Sequence, residues 1–297
     1  MTIEQARQQW RDALGIIADP DASWSWSRTG DDRATLTINS WGLESVCEWR
    51  APAGPARGRI VIPFYAVASV YGDPSPRTTR LDEVGRQRRQ WGTHLTERGF
   101  EVLVVPWWAC TIATAQGRTG GLSDQYGEIA TDWIGTGNGT ALGRALADLE
   151  LAMDACGELT ELPTASFGHS LGGKLSLFWG ALDPRVDAVV SHEPGLGLAH
   201  SNWRDPWYVG DTELPADLDA LAALVAPRPL LVVGGGDSDG VQNAALVDST
   251  AELGRTHTGS DWLPGHLIHN NGHTPHEPAL AAMYQWLTDT LTVRSTS

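Results

Sequence analysis

Apolar positions along this chain recur with two spacings that alternate from segment to segment. Ile3, Ala6, Trp10, Ala13, Leu14 and Ile17 fall at helical spacing and predict an amphipathic helix at the start. Residues 33–38 and 43–49 alternate or run apolar on either side of Asn39-Ser40-Trp41-Gly42, the pattern of an antiparallel hairpin at a sheet edge. Residues 59–64 and 101–106 predict buried strands, separated by a polar stretch over 81–98 with apolar Val84, Trp91 and Leu95, a helix ending at Gly99. Residues 140–156 predict a strong amphipathic helix with Leu142, Leu146, Leu149 and Met153 on one face. Strands follow at 162–167, 187–190, 229–233 and 267–269, with helices at 171–179, 241–253 and 277–291 between and after them.

Strands that alternate with helices imply a mostly parallel, doubly wound sheet covered on both faces, an α/β fold. No Pro/Gly/Ser linker or shift in composition divides residues 1–297, so a single domain is expected. Segments 111–139 and 194–221 break the alternation, and both follow strands at the same sheet edge. Irregular insertions there read as lids or pocket walls.

One run carries most of the chemistry. Ser166-Phe167-Gly168-His169-Ser170-Leu171-Gly172-Gly173 contains the G-x-S-x-G pattern of a nucleophile elbow between a predicted strand and a predicted helix. A strand that turns abruptly into a helix leaves its serine exposed at the top of the sheet. Glycines flank it because side chains there would collide with neighbouring backbone. A serine is a poor nucleophile alone and needs a base, which needs an orienting acid. The chain offers acid and histidine after the serine, in that order. Gly234-Gly235-Gly236-Asp237-Ser238-Asp239-Gly240 ends a buried strand, and Asn271-Gly272-His273 precedes the last helix.

On these pieces the chain resembles the α/β-hydrolase superfamily, and within it is similar to the dienelactone-hydrolase and acetyl-xylan-esterase-like branch. The resembling residues are Gly168-His169-Ser170-Leu171-Gly172-Gly173, the run 226–235 and Gly272-His273, within a span of about residues 58 to 292. The resemblance implies that Ser170 is the nucleophile and His273 the general base. For the acid, G-x-x-D occurs twice. Asp239 is placed ahead of Asp237 because the residues after it start the next predicted helix. Glu193, in Ser191-His192-Glu193-Pro194 after the preceding strand, is a third candidate. The oxyanion hole should use the backbone N–H of Leu171, with a second donor from Tyr65 through its N–H or its hydroxyl. There the chain departs from the family, whose His-Gly turn is replaced by Phe64-Tyr65.

Composition narrows the partners. A formal charge of −15 argues against nucleic acid and anionic membrane surfaces. Lys174 is the only lysine. Cys47, Cys110 and Cys156 have no metal-like spacing and read as buried apolar residues in a reducing compartment. The polar start, with Glu4, Gln5, Arg7, Gln8 and Gln9, does not read as a signal peptide, so a cytoplasmic location is expected. His266, His269, His273 and His276 straddle a strand and a loop without a cysteine or paired carboxylate, so no metal site and no cofactor is expected. Of fourteen tryptophans, Trp107, Trp108, Trp203 and Trp207, with Tyr208, stand where a pocket wall would be. His169 is expected to pack under the elbow.

The expected activity is hydrolysis of a small-molecule carboxylic ester through an acyl-enzyme. Peptidase or thioesterase chemistry on the same triad, or a ligand-binding protein of the same fold without catalysis, are the alternatives. The reading leaves room for a homo-oligomer.

Overall fold

The computed structural model describes residues 1–73, 81–119, 123–235, 243–269, 271–273 and 276–294. In chain order the elements are α1 (Ile3–Leu14), β1 (Ser23–Arg28), β2 (Arg33–Ser40), β3 (Leu43–Arg50), β4 (Arg59–Phe64), α2 (Val67–Tyr71), α3 (Glu83–Gln87), α4 (Trp91–Glu97), β5 (Glu101–Pro106) and α5 (Trp108–Ala115). A π-helical turn (Ser123–Gly127) leads into α6 (Glu128–Gly135) and α7 (Ala141–Cys156). The rest are β6 (Thr164–His169), α8 (Leu171–Leu182), β7 (Ala188–His192), α9 (Leu218–Ala223), β8 (Leu230–Gly234), α10 (Ala244–Thr258), β9 (Gly265–Ile268) and α11 (Glu277–Arg294).

The nine strands among the described residues form one sheet in the order β1-β2-β3-β5-β4-β6-β7-β8-β9. The first three strands are antiparallel, and β3 joins β5 antiparallel. From β5 to β9 every pairing is parallel. Every residue of β4 to β8 is buried, which is why these segments read as unbroken apolar runs: helices cover both faces of a parallel sheet. This is the mostly parallel, helix-covered α/β architecture expected from the pattern.

Local chemistry sets the boundaries. Thr2 and Gln5 form a reciprocal capping box on α1, and Gly15 ends it in the left-handed conformation, so Ile17 falls outside and is exposed. Thr140 caps α7 by accepting from the Gly143 N–H. Among the described residues no helix is long and apolar enough to cross a membrane.

Three expectations change. The helix expected over 81–98 is two short ones: α3 buries nothing, and the chain leaves helical geometry at Gln90 before α4 begins. The polar run Arg86-Gln87-Arg88-Arg89-Gln90 offers no apolar stripe to hold a continuous helix on the sheet. Strand β1, with sequence Ser-Trp-Ser-Trp-Ser-Arg, is not predicted by the apolar pattern. Trp24 and Trp26 alternate with exposed serines, and their indole N–H groups donate to the Glu158 carboxylate and the Ala155 carbonyl. Segment 111–139 is largely helical rather than irregular, with Ala113, Tyr126, Ile129 and Ala130 buried. Segment 194–221 is turn-rich and closes with α9.

Candidate active site

Parallel register brings the site together. β6 pairs with β7 so that His169 lies beside His192, and β7 pairs with β8 so that His192 lies beside Val233. On the other side, Phe64 of β4 lies beside Pro106 of β5. The residues that follow therefore stand together along one edge of the sheet: Tyr65, Trp107, Ser170, Glu193 and Gly235. His269, which follows β9, joins the row.

Ser170 adopts φ 59° and ψ −118° between β6 and α8. Its N–H donates to the His192 carbonyl at 2.9 Å, and its own carbonyl accepts from Lys174 N–H at 2.9 Å. A Cβ on Gly168 would strike the Gly172 backbone, and one on Gly172 would strike the Pro63 carbonyl. The elbow can thus be this tight only with glycine at both places. Among the described non-glycine residues, positive φ occurs at Trp41, Ser170 and Glu193. Two of these three strained positions sit side by side at the sheet edge. Each costs on the order of 1–3 kcal/mol and persists only where surrounding contacts hold it. Leu171, the expected oxyanion donor, opens the first turn of α8, where helix N–H groups face outward.

His273 lies in the described residues between β9 and α11, with Nδ1 3.5 Å from Oε2 of Glu193. The Glu193 side chain is wholly buried, while the His273 ring is more than half exposed. Oε1 of Glu193 accepts from the Gly235 N–H at 2.6 Å. Burial pushes the Glu193 carboxyl up. The contact with His273, the Gly235 N–H and neighbouring His192 outweigh that and hold it below the ordinary carboxylate value, so it is ionised. Glu193, the third of the acid candidates, is the one the structure brings to His273. Asp237 and Asp239 lie outside the described residues. The signal for Glu193 was present in the sequence: an acid immediately after the strand that follows the elbow.

Beneath this pair runs a column of imidazoles. His169 Nδ1 lies 3.2 Å from His192 Nδ1, and His192 Nε2 lies 3.2 Å from His269 Nε2. His273 packs over His169 with ring centroids 4.8 Å apart, which carries it to the residue next to Ser170. Burial holds all three lower histidines neutral: His169 is pushed well down, aided by His192 and His273, His192 falls to about 3, and His269 is lowered. His169 is buried against Trp91, under the elbow as expected. His266, His269, His273 and His276, from which no metal site was expected, are not gathered as one ligand set among the described residues. Instead His192, Glu193 and His269 place ligand atoms within 4.8 Å of one another.

The aromatic wall divides. Trp107 packs against Tyr65, Tyr126 and Tyr208, and Trp207 packs against Tyr126 and Tyr208. Tyr126, from the π-helical turn, is a member of this wall that the sequence reading did not single out. Burial raises the Tyr208 phenol, as does the adjacent Tyr65, to which it is hydrogen-bonded. The Tyr208 hydroxyl thus donates to the Tyr65 oxygen. Trp108 and Trp203 turn into the core instead. Trp108 donates to the Ala141 carbonyl and stacks under the Arg144 guanidinium. Trp203 packs on Phe178 of α8 and lies beneath the Lys174 ammonium, 3.8 Å from its ring centre. Lys174 also donates to the Pro194 carbonyl at 2.7 Å and to Ser201 Oγ at 3.0 Å. The sole lysine thus ties the elbow helix to the 194–221 segment.

No protein-family model matches the chain, and no curated protein sequence does. Solved structures do match. A promiscuous CE15 esterase from a marine bacterial metagenome superposes with TM-score 0.63 at 14% identity, over 96% of this chain and 90% of that one. A family 15 glucuronoyl esterase from Caldicellulosiruptor kristjansonii gives TM-score 0.62 at 15% identity, over 94% and 83%. A putative acetyl xylan esterase from Bacteroides fragilis gives TM-score 0.63 at 13% identity, over 92% and 76%. At such identities the likeness carries the fold, and the fold is that of the α/β-hydrolases.

Proposed function

We propose that this protein hydrolyses carboxylic esters borne on saccharides, with Ser170 as nucleophile, His273 as general base and Glu193 as the orienting acid. The observation that carries the reading is the pairing of a strained, glycine-flanked Ser170 with a histidine seated on a buried, ionised carboxylate one strand away. An idle serine in a glycine turn has no cause to hold φ at 59°.

In this reading His273 takes the Ser170 proton through Nε2 as Oγ attacks the ester carbonyl. Glu193 holds Nδ1–H and stabilises the imidazolium that forms. The Leu171 N–H, joined by the Tyr65 N–H, stabilises the tetrahedral oxyanion. His273 then protonates the leaving alcohol, and water attacks the acyl-enzyme by the same route in reverse. The buried neutral imidazoles below act as packing, which keeps a second positive charge away from the imidazolium.

Support for a saccharide comes from the wall. The indole N–H groups of Trp107 and Trp207 are buried and have no hydrogen-bond partner among the described residues. An unpaired buried donor costs about 1–3 kcal/mol, which a ligand oxygen would recover. Aromatic faces with N–H donors between them suit a sugar ring and its hydroxyls. The structures of similar fold include enzymes named as glucuronoyl and acetyl xylan esterases, which points the same way. The test is a panel of a methyl uronate ester, an acetylated xylo-oligosaccharide and plain nitrophenyl acetate at matched concentrations. Higher kcat/KM on a saccharide ester than on nitrophenyl acetate supports the reading. Turnover confined to nitrophenyl acetate removes the saccharide from it.

A further inference from the structure

We propose that His192, His269 and Glu193 bind one divalent transition-metal ion of the zinc type, and that the bound ion draws Glu193 away from His273. Binding itself does not depend on the proposed function; the loss of activity it would cause does.

The donor set is two imidazoles and a carboxylate, all buried, at the ends of strands β7 and β9 with β8 between them. Zinc takes nitrogen at about 2.0–2.1 Å in a tetrahedron, which places two ligating nitrogens about 3.3–3.4 Å apart. The Nε2 atoms of His192 and His269 face each other at 3.2 Å. Oε1 of Glu193 stands 3.7 Å from His269 Nε2, a few tenths of an ångström beyond the ideal edge. The chemistry is also right. Imidazole nitrogen and carboxylate oxygen are ordinary zinc ligands.

An outer shell supports the inner one. His192 turns its other nitrogen, Nδ1, to His169 Nδ1 at 3.2 Å, the arrangement that fixes a ligating ring's tautomer. With His192 protonated at Nδ1, its Nε2 lone pair accepts from His269 Nε2–H in the metal-free protein. Metal entry moves that proton to His269 Nδ1, which is buried and has no partner among the described residues. Two Nε2–metal bonds and one Oε1–metal bond form, one water that the ion brings with it keeps the fourth position while its other waters leave, the Nε2–H···Nε2 hydrogen bond breaks, and no proton need leave the protein.

The three donors lie within 4.8 Å, so closing on a metal requires the carboxylate to move inward by roughly 1 Å. Its other oxygen, Oε2, is the one facing His273 at 3.5 Å. The same movement therefore lengthens the contact that orients the base.

The experiment is calorimetric titration of ZnCl2 into the full chain, run beside His269→Gln and the remote control His257→Gln. The wild type should bind one zinc. His269→Gln, whose amide can still donate to His192 but is a poor zinc ligand, should weaken binding by more than the roughly 10–100-fold typical of second-shell changes. His257→Gln should bind as the wild type does. Cobalt absorption on the wild type is the second measurement, and it stands even if His269→Gln fails to fold. The intense visible bands of tetrahedral cobalt should rise to one equivalent and vanish on zinc addition. No stoichiometric binding by the folded wild type, only octahedral cobalt bands, or undiminished binding by a folded His269→Gln protein overturns the proposal. If zinc binds but ester turnover on Ser170 is absent, the metal site stands and the proposed function fails.

Discussion

Glu193→Gln alters one atom of the side chain and leaves its shape. Oε1 of the amide can still accept from the Gly235 N–H, so the buried end of the side chain keeps its anchor. The NH2 group then occupies the place of Oε2, 3.5 Å from His273 Nδ1. It offers a donor where a donor already stands. The ring escapes by moving its proton to Nε2, which disables it as a base toward Ser170. A triad acid changed to its amide with geometry intact can cost about 10⁴ in turnover. Here the His273 ring is more than half exposed, so water can partly replace the lost acceptor. The expected loss is thus on the order of 10³–10⁴ in kcat, about 4–5.5 kcal/mol at 1.36 kcal/mol per tenfold. The assay is kcat and KM on nitrophenyl acetate for Glu193→Gln, Asp239→Asn and Asp237→Asn, with melting curves for each. A loss confined to kcat of Glu193→Gln, at near wild-type melting temperature, is the result the geometry requires. If Glu193→Gln keeps a tenth or more of wild-type turnover while either aspartate variant collapses, the acid is not Glu193.

Other perturbations have distinct expected outcomes. Trp203→Ala should lower stability by about 3–5 kcal/mol, because the ring is fully buried between Phe178 and Lys174; Trp207→Ala should change the ranking of ester substrates more than the melting temperature. Equal melting temperatures for the two variants would contradict this division. The buried Asp148 carboxyl is pushed by burial from 3.8 to about 6, against the opposing pull of Ser40 and Arg144. Its folded value lies above its unfolded one, so the stability it contributes is full below about pH 4 and is lost as pH rises through 6. About two pH units at 1.36 kcal/mol each set the size at about 3 kcal/mol. Asp148→Asn should therefore gain stability on the wild type between pH 4 and 6 in denaturant titrations, and parallel pH curves for the two proteins would refute it.

What the sequence made legible follows from where each signal is written. The strands β4 to β8 are readable because a sheet covered on both faces demands unbroken apolar runs. The elbow is readable because Gly168 and Gly172 answer to contacts within the motif and with Pro63 of the neighbouring strand. The carboxylate beside His273 is readable only as one of three candidates. Which carboxylate meets His273 depends on the register that seats His169 beside His192, and spacing within a loop does not carry that information. Glu193 stands against His273 through that register, while Asp237 and Asp239 lie outside the described residues. The tryptophans fail for the same reason. Trp107 and Trp108 are adjacent in sequence, yet one joins the aromatic wall and the other turns to Arg144 and the core. Strand β1 is hidden by its exposed serines, since only its two half-buried indoles mark the inward face.

The central claim is that Ser170 is an activated nucleophile, and covalent labelling tests it most directly. The protein should be incubated with a fluorophosphonate, its intact mass measured, and the modified peptide sequenced. The account predicts one adduct per chain, located on Ser170, absent from Ser170→Ala and slowed in Glu193→Gln. An unlabelled, folded wild type, or a Ser170→Ala protein that still labels stoichiometrically, would contradict it.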